Sequence, residues 1–157
     1  MILVSACLCG VNCKYNGENN LDERVLKLLQ EGKAIPVCPE QLGGQETPRL
    51  AHEIVDGDGE LVLKGEAKIL SPDGKEDVTK EFVKGATETL NIAKNIGAQY
   101  AILKARSPSC GFGKIYDGTF SGNKIDGNGV TAELLHKNGI KIFTEENLEE
   151  FLNIVDI

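Results

Sequence analysis

The sequence predicts an α/β fold: a single three-layer, Rossmann-like domain over residues 1–157, with a mostly parallel sheet and a small hairpin excursion. Three observations carry that expectation. Short apolar runs, Ile2-Leu3-Val4-Ser5-Ala6, Ala34-Ile35-Pro36-Val37 and Tyr100-Ala101-Ile102-Leu103, alternate with segments of helical period. Each run ends in a loop rich in Gly, Pro, Asn or Ser. Each loop carries a cysteine: Cys7, Cys38 and, a few residues further on, Cys110. Open parallel sheets bind ligands in the crevice beyond the carboxyl ends of their strands, so three thiols converge where such a fold does its chemistry.

The elements follow in order. Residues 1–6 read as a central strand, and Cys7 to Gly17 as a Gly/Asn-rich loop. Asn19 or Asn20 is placed to cap a helix over 21–31, whose Leu21, Val25, Leu28 and Leu29 share a face and which Gly32 ends. Residues 34–37 form the second strand, and Cys38-Pro39-Glu40-Gln41-Leu42-Gly43-Gly44 a tight loop. Ile54-Val55 and Leu61-Val62-Leu63, joined by Asp56-Gly57-Asp58-Gly59, suggest the hairpin excursion. The Asp-Gly pairs lack the closing Glu of a calcium loop and read as turns. Asp77 is placed to cap a long helix, 78–96, and residues 98–104 give the third strand. A short strand over 114–116 and polar turns over 121–128 precede a helix over 130–138, which Asn128 is placed to cap. Residues 140–143 make the fourth strand, and Thr144 is placed to cap a last helix over 145–154.

Composition narrows the function. The formal net charge of −7 argues against broad nucleic-acid binding, which needs a basic surface. No run approaches the roughly 20 apolar residues of a membrane span, and Met1 leads straight into a strand with no signal-peptide pattern, so a cytoplasmic location is expected. Five cysteines in that compartment point to metal binding or catalysis rather than disulfides.

As a set, Cys7, Cys38 and Cys110 suit zinc, copper(I) or an iron–sulfur cluster. Structural zinc normally asks for a fourth ligand. A four-iron cluster held by three thiolates would leave one iron open for Lewis-acid work. Cys9 and Cys13 fit no common ligand spacing and read as packing residues or spare thiols, and His136, within a helix, as a packing or surface residue. Glu40, two residues past Cys38, is a candidate general acid/base. Ser107 and Ser109 flank Pro108 and could donate to a substrate or to a cluster sulfur, or simply form turns. Lys14, Arg49, Lys104 and Arg106 would add positive charge if the loops meet.

Five segments together resemble the thiouracil desulfidase family: Val4-Ser5-Ala6-Cys7-Leu8, Cys13-Lys14-Tyr15-Asn16-Gly17, Val37-Cys38-Pro39-Glu40-Gln41-Leu42-Gly43-Gly44, Thr47-Pro48-Arg49, and Leu103 through Gly111. Gly129-Val130-Thr131-Ala132-Glu133-Leu134-Leu135 fits as well. The resemblance implies a cytosolic enzyme that removes sulfur from thiolated uracils (base, nucleoside or monophosphate) without net redox change. It implies a [4Fe-4S] cluster on Cys7, Cys38 and Cys110, an acid/base role for Glu40 and an assisting serine, Ser107 or Ser109. Cys9 departs from it, standing where such sequences carry an aliphatic residue. Alternatives within the same chemistry are an iron–sulfur protein of tRNA or nucleoside sulfur transfer, and a non-catalytic protein that binds a cluster or sulfide.

Overall fold

Because alternate residues of a strand face opposite sides of its sheet, four-residue strands with apolar residues at successive positions must be covered on both sides. A computed structural model, describing residues 1–155, shows that arrangement. The elements are β1 (Ile2–Ser5), a 3-10 turn (Ala6–Cys9), α1 (Glu23–Gln30), β2 (Ala34–Val37), α2 (Pro39–Leu42), β3 (Glu53–Val55), α3 (Gly59–Leu63) and β4 (Lys68–Leu70). There follow α4 (Thr79–Asn95), β5 (Tyr100–Leu103), β6 (Lys114–Tyr116), β7 (Lys124–Asp126), α5 (Val130–Lys137), β8 (Lys141–Thr144) and α6 (Leu148–Ile154).

The central sheet has the order β2-β1-β5-β8 with every pair parallel. On one face Ile2, Val4, Ile102 and Phe143 pack against Val25 and Leu28 of α1 and Leu148 and Phe151 of α6. On the other, Leu3, Ala101, Leu103 and Ile142 pack against Leu90 and Ala93 of α4 and Ala132 and Leu135 of α5. The result is three layers. The chain leaves β1 toward β2 on one side and reaches β5 on the other, so the β1/β5 boundary is the topological switch point where such sheets open a crevice.

The excursion differs from expectation. Its hairpin pairs β3 with β4, Ile54 opposite Ile69, while Leu61-Val62-Leu63 belong to α3. Asp58 accepts a hydrogen bond from the Leu61 amide and so caps that helix, and Val62 is buried against Ile54, Ile69 and Phe82. The expected turns over 121–128 contain β7, paired antiparallel with β6.

Several caps also shift. Asp22, not Asn19 or Asn20, caps α1. Asp77 bonds the Thr79 amide one position ahead of the expected cap role, with Val78 as the cap residue. Gly129 is the cap residue of α5. The last helix begins at Leu148 behind Asn147, while Thr144 closes a turn by accepting from the Glu146 amide. No helix among the described residues is long and apolar enough to cross a membrane.

Candidate functional site

At the carboxyl ends of β1, β2 and β5 lies a cavity of about 480 Å³. Cys7, Cys38 and Cys110 all line it, with Glu40, Ser107 and Ser109. Of the cations singled out in the sequence, Lys14, Arg49 and Lys104 are also in its wall. Arg106 is not; it turns outward to an ion pair with Glu146 at 3.3 Å. Cys9 is buried in the core under α1 and α6, which its packing reading anticipated. Cys13 does line the cavity, so the packing reading undersold it.

Each thiol is delivered by a different local device. Cys7 sits in the 3-10 turn that β1 enters, closed by Gly10 at φ 85°, whose amide bonds the carbonyls of Ala6 and Cys7. Asn20, one of the two residues expected to cap α1, instead donates its backbone amide to the Cys7 carbonyl at 2.9 Å and lines the cavity. Cys38 is the cap residue of α2, with Pro39 at its first helical position, where the missing proline N–H costs nothing. That short helix is pressed onto α4 by two glycines. A Cβ on Gly85 would stand 1.9 Å from the Pro39 carbonyl oxygen, and one on Gly43 2.0 Å from that of Glu81.

Cys110 rests on the start of α5. The amides of Thr131 and Ala132 donate to the Ser109 carbonyl and that of Val130 to Pro108, satisfying helix-end donors that need partners. A Cβ on Gly129 would lie 2.6 Å from the Ser109 carbonyl oxygen. Arg106 enters the loop at φ 72°, left-handed backbone that a non-glycine residue holds only where its surroundings impose it. Glu145 clasps the start of the loop, accepting from the Ala105 amide at 2.7 Å and pairing with Lys104 Nζ at 2.8 Å. Ser5 ties β1 to β5 at the switch point by accepting from the Lys104 amide.

Inside the cavity Glu40 is the hub. Ser109 Oγ donates to its Oε1, Cys38 Sγ lies 3.5 Å from its Oε2, and Arg49 Nη2 is 3.5 Å from the same oxygen. Arg49 also donates to the Cys13 carbonyl at 2.9 Å and to Thr47 Oγ1 at 2.9 Å, so one buried guanidinium joins the Cys13 loop to the carboxylate on the helix that Cys38 caps. Ser107 Oγ accepts from the Cys110 amide at 2.7 Å and lies 3.4 Å from Ser109 Oγ.

The thiols differ electrostatically. Burial pushes Cys7 up to about 11. Burial, then the nearby Glu40 charge, also raises Cys110. A hydrogen bond from the Cys13 thiol holds Cys38 below the ordinary thiol range, and the same bond raises Cys13. Burial disfavours the thiolate at Cys7 and Cys110, which makes them poor nucleophiles, whereas coordination to a metal deprotonates a thiol outright. Two of the three thiols are thus unsuited to thiolate attack, and three thiols gathered in one cavity suit a metal group. Among the described residues no three His, Cys, Asp or Glu side chains close round one ion position. A four-iron cluster presents its irons at separate corners, so thiolates that stand apart in one cavity fit it better than they fit a single tetrahedral zinc.

Sequence reasoning missed Cys13, Tyr15, His52 and Tyr116 in the cavity wall, and the clasp by Glu145. Only Cys13 and Tyr15 carried a signal, their place in the Cys13-to-Gly17 motif; the others arrive from elements distant in sequence.

Comparison with known proteins agrees with this architecture. Over 152 residues the chain is 53% identical to the uncharacterized protein YbbK of Bacillus subtilis (strain 168), covering 97% of this chain and 100% of that one. A solved structure of the [4Fe-4S]-dependent thiouracil desulfidase TudS superposes with a TM-score of 0.84 at 38% identity, covering 98% of each chain. The family model for 2-thiouracil desulfurase matches residues 2–147, and the chain belongs to that family.

Proposed function

We propose that this member of the 2-thiouracil desulfurase family is a cytoplasmic enzyme that hydrolyses the carbon–sulfur bond of a thiolated uracil, giving uracil and sulfide without net redox change. The observation that carries the reading is the meeting, in one cavity, of three thiols from three strand ends with a carboxylate and a serine pair. Cys7, Cys38 and Cys110 would hold a [4Fe-4S] cluster. When bound, such a cluster with one open iron supplies Lewis acidity and a soft site for sulfur.

The protein's own groups do the rest. Glu40 takes a proton from water as the water oxygen attacks the thiocarbonyl carbon, and returns it to the ring nitrogen or the departing sulfur. Oxygen replaces sulfur and both water protons end on product groups, so no electrons are exchanged. Ser109 holds the carboxylate in place through Oε1, and Arg49 steadies Oε2. Because Ser109 Oγ gives its proton to Glu40, the Ser107 hydroxyl, fixed by the Cys110 amide, aims its own proton at Ser109 Oγ 3.4 Å away, a long contact that it can exchange for charge developing on the substrate.

The test is anaerobic iron reconstitution, an absorbance spectrum, and incubation with 4-thiouracil and 4-thiouridine monophosphate while the thiocarbonyl band is followed. A brown protein that bleaches either substrate and releases sulfide is the expected result. A brown protein inert to both would shift the reading to sulfur transfer or cluster-based sulfide binding. A colourless zinc protein would end it.

A further inference from the structure

The strand-exit wall of the cavity carries the thiols, but another wall holds a polar group that the proposed chemistry leaves idle. His52 stands just before β3, is 6% exposed, and lines the same cavity. Its Nε2 lies 3.0 Å from Glu76 Oε1. Its ring meets Phe82 edge-on, with centroids 6.1 Å apart and planes at 75°. Two contacts in different directions fix the plane of the imidazole. Nδ1 has no hydrogen-bond partner among the described residues, and it is not among the polar atoms sealed away without one. A carboxylate can only accept, so Nε2 carries a proton, and in the neutral form of such a ring the lone pair lies on Nδ1. Around it Leu50, Ala51 and Phe82 are apolar lining, and ligand pockets of that make-up take their specificity from a few fixed polar groups.

We propose that His52 is a specificity residue of this cavity, accepting through Nδ1 a hydrogen bond from a donor on the thiolated pyrimidine, with Glu76 as its positioning residue. The donor is a ring N–H or a sugar hydroxyl. The inference rests on the desulfidase reading for its substrate, and on the geometry of His52 alone for its role.

The experiment measures binding apart from turnover. Uracil and uridine, which have no sulfur to lose, are titrated calorimetrically into the anaerobically reconstituted protein, and steady-state turnover of 4-thiouracil and 4-thiouridine is followed in parallel. His52→Leu should weaken binding about tenfold, the scale of one hydrogen bond, and raise KM by a similar factor with kcat unchanged. His52→Asn, whose amide oxygen can stand where Nδ1 does, should recover part of the loss. Glu76→Ala, at a half-exposed carboxylate, should weaken binding less than His52→Leu, and it decides the matter should His52→Leu fail to fold. Loss confined to uridine and 4-thiouridine identifies a sugar hydroxyl; equal loss for base and nucleoside identifies a ring N–H. Turnover in the wild type with binding unchanged in the variants overturns the role of His52 alone. A wild type that neither binds nor turns over any of these ligands overturns both readings.

Discussion

The cavity has two kinds of wall. One is made by the ends of β1, β2 and β5, strands buried on both faces in a sheet that α1, α4, α5 and α6 cover. The other comes from the two small ladders, β3–β4 and β6–β7, three residues to a strand, with β7 exposed throughout. The first wall holds every thiol, Glu40 and both serines; the second brings His52 and Tyr116. Reacting groups must keep their relative geometry within fractions of an ångström, and elements locked by packing can do that. Groups that only choose a substrate tolerate more movement, and loops carried on a rigid scaffold can vary. The contrast predicts that substitutions in the strand-exit wall destroy chemistry, while those in the excursion change binding.

The largest effect is expected at the thiols. Cys7→Ser, Cys38→Ser and Cys110→Ser should each lower iron retained after reconstitution and abolish desulfidation, whereas Cys9→Ala, in the core away from the cavity, should keep both. Iron and sulfide assays beside the visible spectrum check this. Iron content unchanged in Cys38→Ser would break the comparison at its root. Next comes Glu40→Gln, which keeps the shape and the Ser109 contact but removes the proposed base. It should retain the cluster spectrum and lose about 10²–10⁴-fold in kcat, the usual worth of a general acid/base. Unchanged kcat would take Glu40 out of the mechanism.

Gly85→Ala tests the wall without touching the cavity. The added methyl cannot coexist with the Pro39 carbonyl 1.9 Å away, and both partners are backbone, so α2 must move and carry Cys38 and Glu40 with it. Overpacking of this kind costs about 1–3 kcal/mol, and a displacement near 1 Å at a reacting group costs on the order of 100-fold in rate. The denaturation midpoint and kcat should therefore fall together. A stable, fully active Gly85→Ala would show that α2 is not held by α4.

The same division governs what the sequence could disclose. The three strand-exit thiols and Glu40 were legible because parallel strands of an α/β sheet end on one side, so a cysteine just beyond each strand must join the others in space. The excursion was harder. Leu61-Val62-Leu63 is a short apolar run, and periodicity cannot tell such a run in a strand from a turn of helix; the deciding fact was Asp58 reaching the Leu61 amide. Lys124-Ile125-Asp126 shows no burial pattern at all, so its pairing with β6 left no trace in composition. His52 and Glu76 are 24 residues apart and meet only because the β3–β4 hairpin brings them together. Glu145 is a first-turn acid by sequence and a clasp on the Cys110 loop by structure, a role that only the β5–β8 pairing creates.

The smallest effect expected, and the one that sharpens the contrast most, is at Glu53. Its Oε1 accepts from the amides of Gly118 at 2.9 Å and Phe120 at 3.2 Å, and so ties β3 to the loop between β6 and β7. Both amides lie in a loop that water can reach once the carboxylate is gone, so Glu53→Ala should cost only about 1–2 kcal/mol. The loop it frees reaches the excursion side of the cavity through Gly122, beside Tyr116 at the end of β6, while the thiols, Glu40 and the serines keep every hydrogen bond named above. KM should therefore rise several-fold with kcat and the cluster spectrum unchanged. As an internal control, Lys114→Ala, which removes an ion pair with Asp126 exposed on both sides, should shift neither KM nor stability measurably. If Glu53→Ala lowered kcat instead, the excursion would be part of the reacting geometry, and the two walls would differ in sequence legibility but not in task.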